Sequence, residues 1–272
     1  MRAGWLAGLL LFCLPLAAAP RVVSLAPFLT DMVVQLDAVD QLVGVLDDGQ
    51  LPLELESVPR IGSHQSLSRE LILAQNPDLV LAWTSGNPPE LLDTLETWGI
   101  RVERFDPQRL ADITQMTRRL GVLLERSEAA ETLLNGYEQK LQGLHRPVTN
   151  NAPRVFVQLW DEPLYTVSDN QLIGDALRHC GARNVFADLP IYAPQVGLES
   201  VLAADPDLIL VLDDQPAAEH PWVRRWRQFP QMRAVREGQL KVMNGDSLVR
   251  PTPQIVSGVQ ALCALVGVPE TH

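Results

Sequence analysis

The chain has 272 residues and a formal net charge of −11 at pH 7, with 46% hydrophobic and 20% charged residues. This composition is typical of a globular protein with one large or two medium cores, and it excludes a disordered or fibrous chain. The acidic balance disfavours nucleic-acid binding, because phosphates require a basic surface.

The N-terminus has the features of a secretory signal peptide. Arg2 precedes an apolar run over residues 6–16, and alanines at 17–19 offer small residues for cleavage. A membrane anchor is the competing interpretation, but Pro15 interrupts the run, and a span needs about 20 apolar residues. We therefore expect residues 1–19 to be removed from an exported protein.

Two cysteines, Cys180 and Cys263, remain after removal of the signal peptide. An exported chain with an even pair of cysteines is expected to form a disulfide, here closing a loop of 83 residues within the second half of the chain. The pair has neither CxxC spacing nor a neighbouring catalytic partner, so the predicted role is structural.

A segment of the first half of the chain returns in the second half. Residues 70–83 align without a gap with residues 199–212, and seven of the fourteen positions are identical, including Glu70 with Glu199. A long period that occurs only twice indicates two lobes of similar architecture rather than a solenoid.

Hydrophobic periodicity predicts alternating strands and helices in both halves of the chain. In the first half, we expect strands at 21–26, 43–46, 78–82 and 100–105, and helices at 30–36, 70–75, 91–98 and 113–124. The longest predicted helix is Ser127–Leu144, with Ser127 as its N-cap. In the second half, we expect strands at 154–159, 184–186, 207–212 and 239–243, and helices at 172–180, near Glu199, and at 223–229, 232–235 and 253–266.

The sequence contains no standard catalytic motif: GxSxG, GxxxxGK[ST], HExxH and GxGxxG are all missing. The histidines lack the spacing of a metal site. Two acidic pairs in predicted loops could bind a cation or act as general acid and base, although solvated loop charges are the favoured interpretation. These pairs, which would serve a secreted metal-dependent hydrolase, are Asp47, Asp48, Asp213 and Asp214.

Large aromatic residues follow one predicted core strand in each half, Trp83 in the first and Trp160 in the second. Ligands of open α/β sheets bind outside the carboxyl ends of the strands, so the two tryptophans could face a bulky, flat ligand. His64 and Tyr192 precede the two repeated helices and could border the same cleft. Ordinary packing is the alternative for the tryptophans. For His64, a solvent-facing or hydrogen-bonded loop histidine is favoured over a metal ligand.

Several segments together resemble the periplasmic substrate-binding proteins of ABC importers for vitamin B12, haem and ferric siderophores, particularly the vitamin B12-binding branch. They are residues 21–27, 42–45, 76–83 with Gly86 and Asn87, 193–196 and 246–250, and the resemblance covers essentially the whole mature chain. It implies two Rossmann-like α/β lobes joined by one long rigid backbone helix, with the ligand between them. The expected division is a signal peptide at 1–19, an N-terminal lobe at 20–126, the linking helix at 127–146 and a C-terminal lobe at 147–272.

The resemblance also implies roles for individual residues. Trp83 matches a ligand-stacking tryptophan, while Asp246 and Arg250 match polar residues that face a corrinoid. Glu70 and Glu199 match surface glutamates that dock into arginine pockets of the membrane permease, which works with its ATPase. Cys180 and Cys263 match a disulfide of the vitamin B12-binding branch.

The chain departs from that branch at three positions, where Asp48, His64 and Ala193 stand in place of further aromatics. Trp160 and Tyr192 are the expected substitutes. We therefore predict a monomeric, non-enzymatic periplasmic protein that binds cobalamin or a related corrinoid as cargo, without a catalytic cofactor or a resident metal. A haem or ferric-siderophore binder of the same fold is the alternative, with His64 as a possible axial ligand of haem iron.

Overall fold

The structure is a computed structural model that describes residues 19–47, 49, 52–63 and 66–267. Residues 1–18 of the expected signal peptide, Asp48 and His64 lie outside the described residues. Within those ranges, no helix is long and apolar enough to cross a membrane.

The first half of the described chain forms a sheet whose central strands are buried apolar runs. The strand order is β4-β3-β2-β1-β5-β6, and all neighbours are parallel except the antiparallel pair β3 and β4. Such continuous apolar runs are typical of parallel strands covered on both faces. The strands are β1 (Val22–Ser24), β2 (Leu42–Asp47), β3 (Arg60–Ser63), β4 (Ser66–Leu67), β5 (Leu79–Trp83) and β6 (Arg101–Phe105).

The helices of this N-terminal lobe begin and end much as the sequence predicts. The side chain of Ser68 accepts a hydrogen bond from the Leu71 backbone N–H and so caps the second helix. Gly99 follows the third helix with a φ of 81°, the left-handed conformation that suits glycine after a helix. The helices are α1 (Pro27–Gln35), α2 (Arg69–Ala74), α3 (Pro89–Thr97) and α4 (Leu110–Leu123).

The longest described helix, α5 (Ser127–Leu144), lies in the sequence between the two sheets and has 18 residues. The predicted N-cap at Ser127 is wrong: the chain turns at Glu125, whose φ is 56°, and Arg126 is the capping position. The Tyr137 hydroxyl is buried and donates a 2.9 Å hydrogen bond to the Leu110 carbonyl oxygen, which ties α5 to the start of α4. The rigidity of this helix and the exact lobe boundaries remain predictions.

The second half forms a smaller, fully parallel sheet with the strand order β10-β9-β7-β8. All five residues of β9 are buried, in agreement with the predicted core strand. The strands are β7 (Arg154–Gln158), β8 (Arg183–Asn184), β9 (Leu208–Leu212) and β10 (Leu240–Met243). The helices are α6 (Leu172–His179), α7 (Leu198–Ala204), α8 (Pro221–Trp226), α9 (Arg233–Arg236), α10 (Asp246–Val249) and α11 (Ile255–Val266).

The repeated segment has the same local structure in both lobes. The Asp78 carboxylate accepts a 2.9 Å hydrogen bond from the backbone N–H of Arg21, at the start of β1. The Asp207 carboxylate accepts a 2.8 Å bond from the backbone N–H of Arg154, where β7 begins. The repeat therefore encodes one structural unit, α2 with β5 and α7 with β9, twice.

The predicted disulfide is present between Cys180 and Cys263, with an S–S distance of 1.96 Å. It joins the position just after α6 to the interior of α11, and both half-cystines are buried in the core of the second lobe. The predicted disulfide is therefore confirmed.

Candidate functional site

A cavity of about 440 Å³ lies between the carboxyl ends of the two sheets and receives residues from both lobes. Most of its lining is apolar, as expected for a pocket that takes a bulky organic ligand. From the N-terminal lobe it is lined by Pro27, Phe28, Trp83, Ser85, Asp106, Pro107 and Gln108. From the second half it is lined by Leu159, Gln171, Leu172, Ile173, Tyr192, Ala193, Leu248, Val249, Arg250 and Pro251.

Trp83 is the last residue of β5 and its indole is held in place on three sides. The indole Nε1 donates a 3.0 Å hydrogen bond to Asp106 Oδ1. The ring meets Phe28 edge to face, with 5.9 Å between the ring centroids, a favourable aromatic geometry. A Cβ atom at Gly86 would lie only 1.8 Å from Trp83 Cε3, so the indole rests directly on this glycine.

Two hydrogen-bonded contacts join the lobes at the cavity. The side-chain amide of Gln108, which follows β6, donates a short hydrogen bond to the Tyr192 hydroxyl in the second lobe. The Arg250 guanidinium, just after α10, pairs with the Asp31 carboxylate of α1 at 2.9 Å. Tyr192 and Arg250 thus line the cavity, and both also contact the opposite lobe.

Two other predicted residues lie beside this cavity rather than on its wall. Trp160 is 58% exposed and lines a neighbouring depression, where its ring meets Trp222 edge to face at 6.0 Å. Asp246 begins α10 and lines a third depression, which shares Leu159 and Val249 with the main cavity. Asp213 borders both of the outer depressions.

Residue Ala193 lines the main cavity, at a place where the resemblance would put an aromatic side chain. The residues that sequence reasoning missed are Asp31, Asp106 and Gln108. Asp106 follows β6 directly, and the rule that ligands meet the carboxyl ends of parallel strands would have selected it together with Trp83.

The repeated glutamates occupy equivalent exposed positions. Glu70 and Glu199 lie in the first turns of α2 and α7. A carboxylate at the N-terminus of a helix is favoured by the unsatisfied backbone N–H groups there. A hydrogen bond from its own backbone N–H, with a further one from Ser68, lowers the pKa of Glu70.

Three of the four acidic residues in the predicted loop pairs, Asp47, Asp213 and Asp214, lie within the described part of the chain. Partial burial opposes ionisation of Asp213, but hydrogen bonding from the Gln215 backbone N–H and the nearby His220 lower its pKa overall. Among the described residues, no group of three or more His, Cys, Asp or Glu side chains could hold a metal ion. Asp48, the partner of Asp47 in the other pair, lies outside these residues.

Two α/β units with parallel sheets and a shared cavity at their strand ends define a two-lobed binding protein. The family model described as periplasmic binding protein matches residues 22–246. The chain therefore belongs to the periplasmic binding protein family.

Its relatives and solved structural neighbours cover almost the whole chain. The vitamin B12-binding protein of Pectobacterium carotovorum subsp. carotovorum (strain PC1) is 33% identical over 265 residues, which are 96% of this chain and 93% of the relative. The crystal structure of the periplasmic vitamin B12-binding protein BtuF of Vibrio cholerae superposes with a TM-score of 0.81 at 30% identity, covering 93% of this chain and 99% of that one. A periplasmic haem-binding protein of Pseudomonas aeruginosa gives a TM-score of 0.71 at 27% identity, covering 91% and 92% of the two chains.

Proposed function

We propose that this protein is a periplasmic, non-catalytic binding protein that captures cobalamin or a related corrinoid and delivers it to an ABC importer. The observation that carries the proposal is the position of Trp83, whose hydrogen-bonded indole forms part of a cavity wall built by both lobes. The similarity to vitamin B12-binding proteins over more than nine-tenths of the chain supports the same cargo.

The cavity and the two depressions beside it suit a large ligand. A corrinoid is a broad macrocycle with apolar faces and polar amide arms around its edge. The macrocycle would lie against Trp83, Phe28 and Tyr192, while its arms extend towards Arg250 and towards Asp246 in the adjoining depression. Burial of a large apolar face provides affinity, and the polar groups around it fix the orientation.

Titration with cyanocobalamin, cyanocobinamide and haemin tests this cargo. Corrinoids absorb strongly, so tryptophan quenching should be corrected for absorbance and paired with isothermal titration calorimetry. We expect saturable binding of a corrinoid by the wild-type protein and weaker binding by Trp83→Ala. Absence of calorimetric heat and of quenching with both corrinoids would refute the assignment.

Haem is the second candidate, favoured by the similarity to a haem-binding protein and by the phenol of Tyr192 on the cavity wall. A haem-binding protein would show a Soret shift that is lost in Tyr192→Phe or in His64→Ala. A haemin spectrum that is the same in both variants and in the wild type would exclude axial ligation by these two residues.

We also propose that Glu70 and Glu199 dock the protein onto its membrane permease. Both are exposed glutamates in the first turn of a helix, one in each lobe. They therefore present two separate negative charges to basic pockets of the permease. Paired charges at two points fix the orientation of a complex and speed the encounter.

Charge reversal separates docking from cargo binding. The double variant Glu70→Arg with Glu199→Arg should bind corrinoid normally and fail to stimulate the ATPase of the reconstituted importer. Glu90→Arg is the matched control, because Glu90 is also an exposed first-turn glutamate, in α3, but lies outside the repeat. Full stimulation by the double variant would contradict the docking role.

A further inference from the structure

Asp106 is the centre of a hydrogen-bonded cluster on the cavity wall. The register of β5 and β6 pairs Trp83 with Phe105, so the residue after Phe105 reaches the indole edge. The Asp106 carboxylate accepts hydrogen bonds from Trp83 Nε1 at 3.0 Å, Ser85 Oγ at 2.7 Å and Gln108 Nε2 at 3.0 Å. It therefore orients both the indole and the amide that contacts Tyr192 across the cleft.

The donors around Asp106 are all neutral: an indole N–H, a hydroxyl and an amide. The charged residues on the cavity wall are Asp106 and Arg250, and Arg250 is paired with Asp31. None of the ion pairs between residues that the structure describes includes Asp106. Among the described residues, its negative charge is therefore stabilised by hydrogen bonds rather than by an ion pair.

A carboxylate in this setting discriminates between ligands by charge. It offers about four lone-pair sites. Donors among the described residues occupy three of them, which leaves one for an N–H or O–H group of the ligand. A ligand carboxylate has no proton to donate near neutral pH and would be repelled, and the repulsion is stronger beside apolar walls than in bulk water.

We propose that Asp106 is a positioning and specificity-determining residue, which holds the indole of Trp83 and selects macrocycles with carboxamide arms over those with carboxylate arms. The inference rests on the proposed function, because it assumes that a macrocycle occupies the cavity. It deepens that function by assigning the choice between amide-bearing corrinoids and acid-bearing macrocycles to one side chain.

A pair of ligands that differ in one group tests this selection. Cyanocobalamin and its purified monocarboxylic acids, in which one peripheral carboxamide is hydrolysed, are titrated into the wild-type protein and into Asp106→Asn. We expect the wild type to prefer the amide form over at least one acid isomer. For a ligand carboxylate about 4 Å away, the variant should reduce that preference by about 5-fold in water-like surroundings and by several hundredfold at an effective dielectric constant of about 20.

The positioning role has its own readout. Asp106→Asn keeps an oxygen that can accept from Trp83, whereas Asp106→Ala removes it, so the near-ultraviolet circular dichroism of the indole should change more in the alanine variant. Glu90→Gln, which makes the same charge change on α3 away from the cavity wall, should leave both the ligand preference and the indole signal as in the wild type.

The possible failures can be told apart. If the wild type binds neither cyanocobalamin, nor its acids, nor cyanocobinamide, the proposed function is refuted, and the proposed role of Asp106 is refuted with it. If both forms bind equally to the wild type, or if Asp106→Asn and Glu90→Gln change the preference alike, corrinoid binding stands and the selectivity of Asp106 is refuted. An indole signal that is identical in Asp106→Ala and the wild type would refute its positioning role.

Discussion

Replacement of Gly86 by alanine should displace the indole of Trp83 and weaken ligand binding. A Cβ atom at residue 86 would lie 1.8 Å from Cε3, 2.3 Å from Cζ3 and 2.4 Å from Cδ2 of the indole. These distances are far inside van der Waals contact, so a small movement of a flexible chain end cannot relieve the overlap. Either the indole leaves its position or the turn after β5 is rebuilt.

The cost follows from the contacts that hold the indole. Displacement breaks the hydrogen bond to Asp106, which contributes about 0.5–1.5 kcal/mol. It also breaks the edge-to-face contact with Phe28, which contributes a further ~0.5–1.5 kcal/mol. We therefore expect Gly86→Ala to lower the free energy of unfolding by about 1–3 kcal/mol. If the macrocycle lies against this ring, its loss should weaken affinity by about tenfold, equivalent to ~1.4 kcal/mol.

Urea unfolding, near-ultraviolet circular dichroism and calorimetric titration with cyanocobinamide measure these effects together. Gly143→Ala is the matched control, since Gly143 lies in α5 and a Cβ atom there meets nothing within 4 Å. This control should keep its affinity and gain up to about 1 kcal/mol from helix propensity. A Gly86→Ala protein with a wild-type indole signal and wild-type affinity would refute the steric argument.

Two further predictions concern the scaffold. Removal of the disulfide in the double variant Cys180→Ser with Cys263→Ser opens a loop with a sequence separation of 83 and should lower the free energy of unfolding by about 4 kcal/mol on the chain-entropy model. Urea denaturation measures the loss, and an unchanged midpoint would contradict it. Tyr137→Phe removes the buried hydrogen bond from α5 to the Leu110 carbonyl oxygen and should cost about 1 kcal/mol. Thermal unfolding measures this effect, and a variant as stable as the wild type would show that the hydroxyl contributes nothing.

The elements that sequence reasoning located well are those whose signal is local. The apolar runs of β5 and β9 are examples, because each run indicates a buried strand without reference to distant residues. The antiparallel pair β3 and β4 was missed because two short strands around Gly62, with a φ of 121°, leave no alternating pattern to detect. The short helix α10 is also absent from the predicted elements, since four residues show no helical period.

The sequence predicts which edge of the sheets carries the site, but it does not predict which side chains line it. Trp83 and Trp160 both follow core strands, yet Trp83 lines the main cavity and Trp160 packs beside Trp222 in the next depression. The rule that ligands meet the carboxyl ends of parallel strands predicts which backbone segments border the cleft. It does not predict where each side chain points, because that direction depends on partners distant in sequence, such as Asp106 and Phe28 for Trp83. Pairs such as Gln108 with Tyr192 join residues 84 positions apart and leave no local signal.

The repeat shows which part of the duplicated unit serves folding and which part has diverged. Both copies place a residue with positive φ before a proline, Asn76 and Asp205, and follow it with an aspartate that holds the neighbouring strand. The helix that precedes each strand runs antiparallel to that strand. The first turn of the helix, which contains Glu70 or Glu199, therefore lies towards the same edge of the sheet as the carboxyl end of the strand. In the second copy that end is Leu212, which is buried, and Gly245 lies against it. The two proposed docking glutamates therefore occupy equivalent positions in the two lobes, whereas the aromatic residues of the cavity wall come mainly from one lobe. This arrangement allows the cavity to bind a ligand with two unlike faces while both lobes present the same docking residue to a partner.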